Sequence, residues 1–398
     1  MNLRQYNTIS SMKKYYIAIL VTLLWFMVQF LRYIFPPLFE TFQIEYSVTN
    51  TETGLLFSLI MISYSVVQFP AGVIGDRLGI PSVILAGAGL FTGAALLAAA
   101  SPSFLVLVLA AILIGVGTGP HKTVAIPLLS RRYPNHPGRV LGAMDTVGQF
   151  GGMTAPIVVI GLTGLFIWQS VFVFGATVSA ILTLLFYRAV RQDSELKTNG
   201  PSLDQTPEKT NENITYRSVF SDWRLSLFVV VAVCFTFAWN GVVSFLPLFF
   251  SVEKGLSTGA ASLLYSLLFG MAIVQTATGE LSDRAGKITV SIVLFIIMSL
   301  GISGLVIADS FFLIIVSTIV IGLGFHGFRP VRDAYLMEII PEGMGGGALG
   351  VIRTLMTGIS ALAPVIIGFI SDIAGFVPAF MIIGATTILA GTITLIIK

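Results

Sequence analysis

Residues 72–79 read GVIGDRLG, and residues 279–286 read GELSDRAG. Gly72, Asp76, Arg77 and Gly79 recur as Gly279, Asp283, Arg284 and Gly286, each 207 positions later. The correspondence extends beyond the octapeptide. GVGTGPHKTVAIPLLSRRYP (115–134) lies over GLGFHGFRPVRDAYLMEIIP (322–341) at the same offset, so that Lys122 falls on Arg329 and Pro134 on Pro341. A little further on the offset becomes 208, and Gly142 and Pro156 fall on Gly350 and Pro364. One octapeptide can recur by chance; matches at a nearly constant offset from residue 72 to residue 156 indicate two similar halves in tandem.

The composition says what kind of halves these are. Hydrophobic residues make up 55% of the chain and charged residues 10%, with a mean hydropathy of +0.92. Soluble domains carry about 25% charged residues, so the chain reads as a polytopic membrane protein. Apolar runs long enough to cross a bilayer are predicted at 15–38, 54–74, 81–100, 104–130, 140–162 and 166–187 (helices 1 to 6). A second set follows at 225–250, 258–280, 288–308, 311–338, 346–370 and 374–397 (helices 7 to 12). The first run lacks a small-residue cleavage site, and no cleavable signal peptide is expected. Residues 189–223 are polar and rich in Pro, Ser, Thr and Asn, and read as a linker. The expected division is therefore a bundle over 1–188, a cytoplasmic linker over 189–223 and a second bundle over 224–398. The sequon at Asn213 to Thr215 falls in that linker and is not expected to be glycosylated. The single cysteine, Cys234, allows no intrachain disulfide.

Orientation follows from Lys and Arg. With both termini on the cytoplasmic side, sixteen of the 22 basic residues lie inside and only Lys254 lies outside, as the positive-inside rule requires. The expected location is the cytoplasmic membrane, crossed many times.

Five basic residues remain within predicted spans: Arg32, Lys122, Arg329, Arg332 and Arg353. Two acids join them, Asp145 and Asp333. A charge at mid-helix costs roughly 2.5–3.5 kcal/mol even on a lenient scale, so such groups normally face a water-filled cavity or a partner. In helix 1, Trp25, Gln29 and Arg32 follow helical spacing and share a face. In helix 10, His326, Arg329, Arg332 and Asp333 do the same. Asp145 and Arg353 correspond at the shifted offset. The balance within the membrane is an excess of three positive charges, which attracts anions. Arg also suits carboxylate and phosphate groups because its planar fork can bond two oxygens. The substrate-binding candidates are Arg32, Lys122, Arg329, Arg332 and Gln29, with Trp239 and Asn240 of helix 7. Asp145, Asp333, Arg353 and His326 are candidates for coupling or gating. Structural alternatives stay open: Arg329–Asp333 as a self-neutralised pair, Asp145 and Arg353 as inner-gate residues, and His121 and His326 as hydrogen-bonding groups. Trp239 and Asn240 equally fit ordinary packing.

The doubled GxxxDRxG resembles the signature of the major facilitator superfamily of secondary transporters, which lies in the loop after helix 2 with a weaker copy after helix 8. The first copy departs from the family at Ile80 and Pro81, where basic residues are usual, and the second keeps Lys287. The resemblance implies an all-α membrane protein of about twelve transmembrane helices in two pseudo-symmetric six-helix bundles. Helices 1, 4, 7 and 10 would line a central cavity, with helices 2, 5, 8 and 11 beside them. It also implies that Asp76 meets the N-terminus of helix 11, that Arg77 pairs nearby, and that Asp283 and Arg284 do the same at helix 5, holding the inner side shut. Gly115 and Gly117 match the family's helix 4 motif, but Ala111 stands where that motif carries an Arg linked to proton coupling. The drug-antiporter motif of helix 5 is only hinted at by Gly148, Gly152 and Pro156, and the Gly148/Gly152 pair reads as close helix packing. Helices 7 and 8 lack the Arg that phosphate-ester exchangers and nitrate carriers place there.

The reading is secondary transport of a small organic anion by alternating access, proton-coupled or by exchange. The alternatives are efflux of toxic compounds and, remotely, a non-transporting sensor. No phosphate-binding loop, metal cluster or nucleophile–base arrangement is present in the sequence. Neither a cofactor, a metal, an enzymatic activity nor a nucleic-acid partner is expected. The expected partners are the substrate, the lipid bilayer and coupling protons, with the chain a monomer.

Overall fold

The computed structural model describes residues 3–193, 222–339 and 345–398. Among these the chain is helical throughout, with eleven helices long and apolar enough to cross a membrane and a twelfth made of a bent pair. Helix 1 crosses over Tyr15–Tyr46, helix 3 over Ile80–Ala99, helix 4 over Phe104–Arg132, helix 5 over Pro137–Thr163 and helix 6 over Gln169–Gln192. In the second half, helix 7 crosses over Trp223–Glu253, helix 8 over Thr258–Ala285, helix 9 over Lys287–Ile307, helix 10 over Phe311–Ile339, helix 11 over Ile352–Ala374 and helix 12 over Phe376–Ile397. Helix 2 is the bent pair, Asn50–Gln68 and Pro70–Leu78, turning by 47°. Its bend has a simple cause: Pro70 lacks an N–H and its ring opposes a straight helical path.

Proline shapes other spans too. Helix 1 runs past its predicted end at 38 to Tyr46, through a 3-10 turn at Pro36–Leu38, and stops at Ser47, which takes the left-handed conformation (φ 54°). Helix 4 consists of Phe104–Thr118 and Pro120–Arg132, joined through Gly119.

The doubled octapeptide ends the same way in both copies. Gly79 closes helix 2 at φ 84° and ψ 136°, and Gly286 closes helix 8 at φ 88° and ψ 133°. Both values lie where only glycine is comfortable.

The chain divides into two compact units: residues 1–34 with 63–204, and residues 35–62 with 205–398. In the first unit helix 3 packs on helices 4 and 6, and helix 1 on helices 5 and 6. The second unit repeats this scheme, with helix 9 on helices 10 and 12 and helix 7 on helices 11 and 12. Residues 35–62 join the second unit through close backbone approach. A Cβ on Gly54 would stand 2.4 Å from the Pro364 carbonyl oxygen, and one on Gly368 would stand 2.3 Å from that of Asn50. The Asp372 carboxylate accepts the N–H groups of Asn50 (3.0 Å) and Thr51 (2.8 Å), where helix 2 begins. Leu300, Phe312 and Leu395 are exposed, as expected of side chains that face lipid tails.

Candidate functional site

In the first unit, helix 1 presents Trp25, Gln29 and Arg32 along one stripe, and all three are buried. Arg32 is 6% exposed. One guanidinium nitrogen donates to the Gln29 amide oxygen. The guanidinium carbon lies 4.3 Å from the ring centre of Tyr64 on helix 2, 5.7 Å from Tyr33 and 6.0 Å from Trp25. Such faces attract a cation. No carboxylate stands within ion-pair distance of Arg32 among the described residues, and its Nε has no hydrogen-bond partner there.

Helices 4 and 5 complete this cluster. His121 is buried, stacks on Trp25 at 6.0 Å, and hydrogen-bonds through Nε2 with the Val21 carbonyl (2.9 Å). The Lys122 ammonium pairs with Asp145 at 2.9 Å and lies 5.6 Å from the Trp25 ring centre. Glycine lets helix 5 come this close: a Cβ on Gly148 would meet the Trp25 indole at 2.3 Å, and one on Gly151 the Phe26 carbonyl at 2.3 Å. The close packing read at Gly148 is therefore against helix 1.

The second unit gathers a different cluster. Arg329 on helix 10 places its guanidinium 4.4 Å from the ring centre of Trp239 on helix 7. His326, fully buried, lies edge-on to Trp239 at 5.2 Å and near Phe269 of helix 8 at 6.2 Å. Arg332 donates to Asp333 through Nε (2.9 Å) and Nη2 (2.7 Å), and lies 5.5 Å from the Phe235 ring centre. Asn240 donates to the carbonyl and hydroxyl oxygens of Ser360, both at 3.1 Å, and so ties helix 7 to helix 11. Arg353 is exposed on helix 11.

The signature residues are surface groups. Asp76, Arg77, Asp283 and Arg284 are all exposed. Arg284 pairs with Glu280 one turn earlier, and Lys287 lies 4.0 Å from Asp283 and 3.0 Å from Glu338. The start of helix 11, which Asp76 is expected to meet, falls at residues 345–351, whose side chains lie outside those described.

Reading charges along the sequence missed the aromatic partners. Tyr64 and Phe269 are uncharged residues in apolar helices, and neither has a local signal that sets it apart. The one clue was indirect: a buried cation without an acid at helical spacing needs another stabilising surface.

Comparison with known proteins gives a consistent result. The sequence model of the Major Facilitator Superfamily matches residues 21–301 and 258–398. A hexuronate transporter of Bacillus subtilis is 24% identical over 372 residues, covering 87% of this chain and 86% of its own. A probable sulfoacetate transporter of Cupriavidus necator is 25% identical over 366 residues, covering 86% and 84%. Among solved structures, a bacterial homologue of the human lysosomal transporter Spinster, in an inward-facing and unoccupied conformation, superposes with a TM-score of 0.80 at 14% identity, covering 97% of each chain.

Proposed function

The chain belongs to the major facilitator superfamily, and from that membership we propose that it carries a small organic anion across the cytoplasmic membrane by alternating access. Arg32 is the observation that carries the reading. A guanidinium 6% exposed, with aromatic faces and one amide around it, has no carboxylate in reach among the described residues to serve as counter-ion. A buried cation of this kind is costly until an anion arrives. Its planar fork then offers paired donors to a carboxylate, sulfonate or phosphate. Gln29 orients it, and Lys122, paired with Asp145, supplies a second cation. In the second unit Arg329, Arg332 and Trp239 are assigned to substrate contact and His326 and Asp333 to coupling, by protons or by exchange. Arg353 and the two signature loops are assigned to the inner gate. Asn240 is assigned to packing, because Ser360 already takes its amide. Hexuronate and sulfoacetate, named for two relatives, are both carboxylates, which supports the same substrate class. Both termini face the cytoplasm in this reading, the protein works as a monomer, and its activity is transport rather than catalysis.

A thermal-shift screen of the purified protein tests the proposal. Carboxylates, sulfonates, organophosphates, amino acids and cationic drugs are compared. A ligand at a hundred times its Kd stabilises the folded state by about 2.7 kcal/mol. Stabilisation by an organic acid that disappears in Arg32→Ala is expected. Stabilisation by cationic drugs alone would replace the anion reading with an efflux one.

A further inference from the structure

A cavity of about 810 Å³ opens in the first unit at the ends of helices 1, 4 and 5 where the loop 133–136 joins helices 4 and 5. It is separate from the Arg32 cluster, which contributes no residue to its lining. Its two ends differ in chemistry. Arg132, His136 and Arg139 stand at the loop end, while Ile19, Leu23, Val140 and Val147 line the part that runs along the helices. Among the described residues its lining includes neither Asp nor Glu. Tyr15 and Tyr133 form one wall, stacked at 5.3 Å with ring planes 5° apart. Tyrosines of this kind mark the membrane–water boundary.

The two arginines are not equivalent. Arg132 is held by Asp193 at 2.6 Å, and both side chains are largely covered. Arg139 is exposed, and no acid pairs with it among the described residues. The cavity therefore offers one guanidinium without an acid partner among the described residues, polar neighbours and an apolar trough. Its volume lies in the range of about 300–1,000 Å³ that takes up a whole small ligand. A fully water-soluble anion would leave the trough unused, and an apolar molecule would leave Arg139 unused.

We propose that this cavity binds an anionic phospholipid of the leaflet it faces, with the headgroup phosphate at Arg139 and the upper acyl chain along Ile19, Leu23 and Val147. Basic residues just inside a span attract anionic headgroups, and the apolar trough selects a molecule already in the bilayer. The proposal needs the membrane-spanning fold but not the identity of the transported solute.

The test is a thermal-shift titration of purified protein with phosphatidylglycerol, phosphatidylcholine or inorganic phosphate. Arg139→Ala removes the charge, and Ala143→Phe fills the trough from an exposed position. The expected result is a saturable stabilisation by phosphatidylglycerol, with apparent affinity weakened roughly fivefold in Arg139→Ala and clearly weakened in Ala143→Phe. Equal stabilisation by phosphatidylcholine would overturn the proposal. So would loss of the effect in Arg139→Ala with no change in Ala143→Phe, because that outcome means surface attraction without occupancy of the cavity. An Arg139-dependent shift with inorganic phosphate as large as that with lipid would make this a site for free anions and overturn the lipid assignment.

Discussion

Arg32 depends on geometry more than on charge. Its guanidinium lies over Tyr64 at 4.3 Å and reaches the Gln29 amide, and both contacts use a flat, forked group. Lysine keeps the charge and loses the fork. In proteoliposome uptake we expect Arg32→Lys to raise KM by about tenfold, equivalent to about 1.4 kcal/mol, and Arg32→Gln to raise it further. Uptake unaffected by either change would remove Arg32 from the site. Gly148 gives a second residue-scale prediction. A methyl group there would sit 2.3 Å from Trp25 Nε1 and 2.4 Å from its Cδ1. Overpacking of this kind costs typically 1–3 kcal/mol. Gly148→Ala should therefore lower the melting temperature measurably, and adding Trp25→Leu should recover part of the loss. The charges and the Trp25–Gln29–Arg32 stripe were legible in the sequence because helical spacing is a local property. Tyr64 was not, because it approaches Arg32 from another helix and carries no charge to mark it.

At the scale of elements, the doubled motif separates into two kinds of glycine. Gly79 and Gly286 end their helices at φ 84° and 88°. A side chain in such a conformation costs on the order of 1–3 kcal/mol. Gly279 has ordinary helical backbone, and a Cβ there would find its nearest neighbour at 3.9 Å, from Pro330. Gly286→Ala should destabilise the protein in thermal unfolding, while Gly279→Ala should change little. Equal effects would mean that the motif's glycines serve packing rather than helix termination. Helix 2 shows what the linear pattern could not reveal. Its predicted start at 54 gives way to Asn50, because the Asp372 carboxylate on helix 11 holds the Asn50 and Thr51 N–H groups and the Thr51 hydroxyl. The partner is more than three hundred residues away, so no local signal announces it. This contact serves as a cap supplied from another helix. Replacing Asp372 by Ala should cost about 0.5–2 kcal/mol, as lost helix caps do, and Thr51→Val, which removes one donor of three, should cost less.

For the whole molecule, the offset of 207 and the pattern of helix neighbours agree. Helices 1, 3, 4, 5 and 6 pair in the first unit as helices 7, 9, 10, 11 and 12 pair in the second. Tandem repetition was visible because each half keeps its own glycine-ended signature and its own apolar periodicity. The grouping of residues 35–62 with the second half was not. It arises from tertiary contacts at Gly54, Gly368 and Asp372 that leave the hydropathy pattern unchanged. Orientation is the remaining whole-molecule property, and it rests on the one-sided distribution of Lys and Arg. Cys234 is the only native thiol, so Cys234→Ser gives a background for single-cysteine labelling. Asn135, between helices 4 and 5, and Asp309, between helices 9 and 10, are both exposed. Four spans precede Asn135 and nine precede Asp309, so an odd number, five, separates the two sites and places them on opposite sides of the membrane. In intact cells a membrane-impermeant maleimide should therefore label Asp309→Cys and leave Asn135→Cys unlabelled until the cells are permeabilised. The reverse pattern would invert the protein in the membrane. Labelling of both from outside would mean that a span has been miscounted between them, and the charge argument that places the termini in the cytoplasm would fall with it.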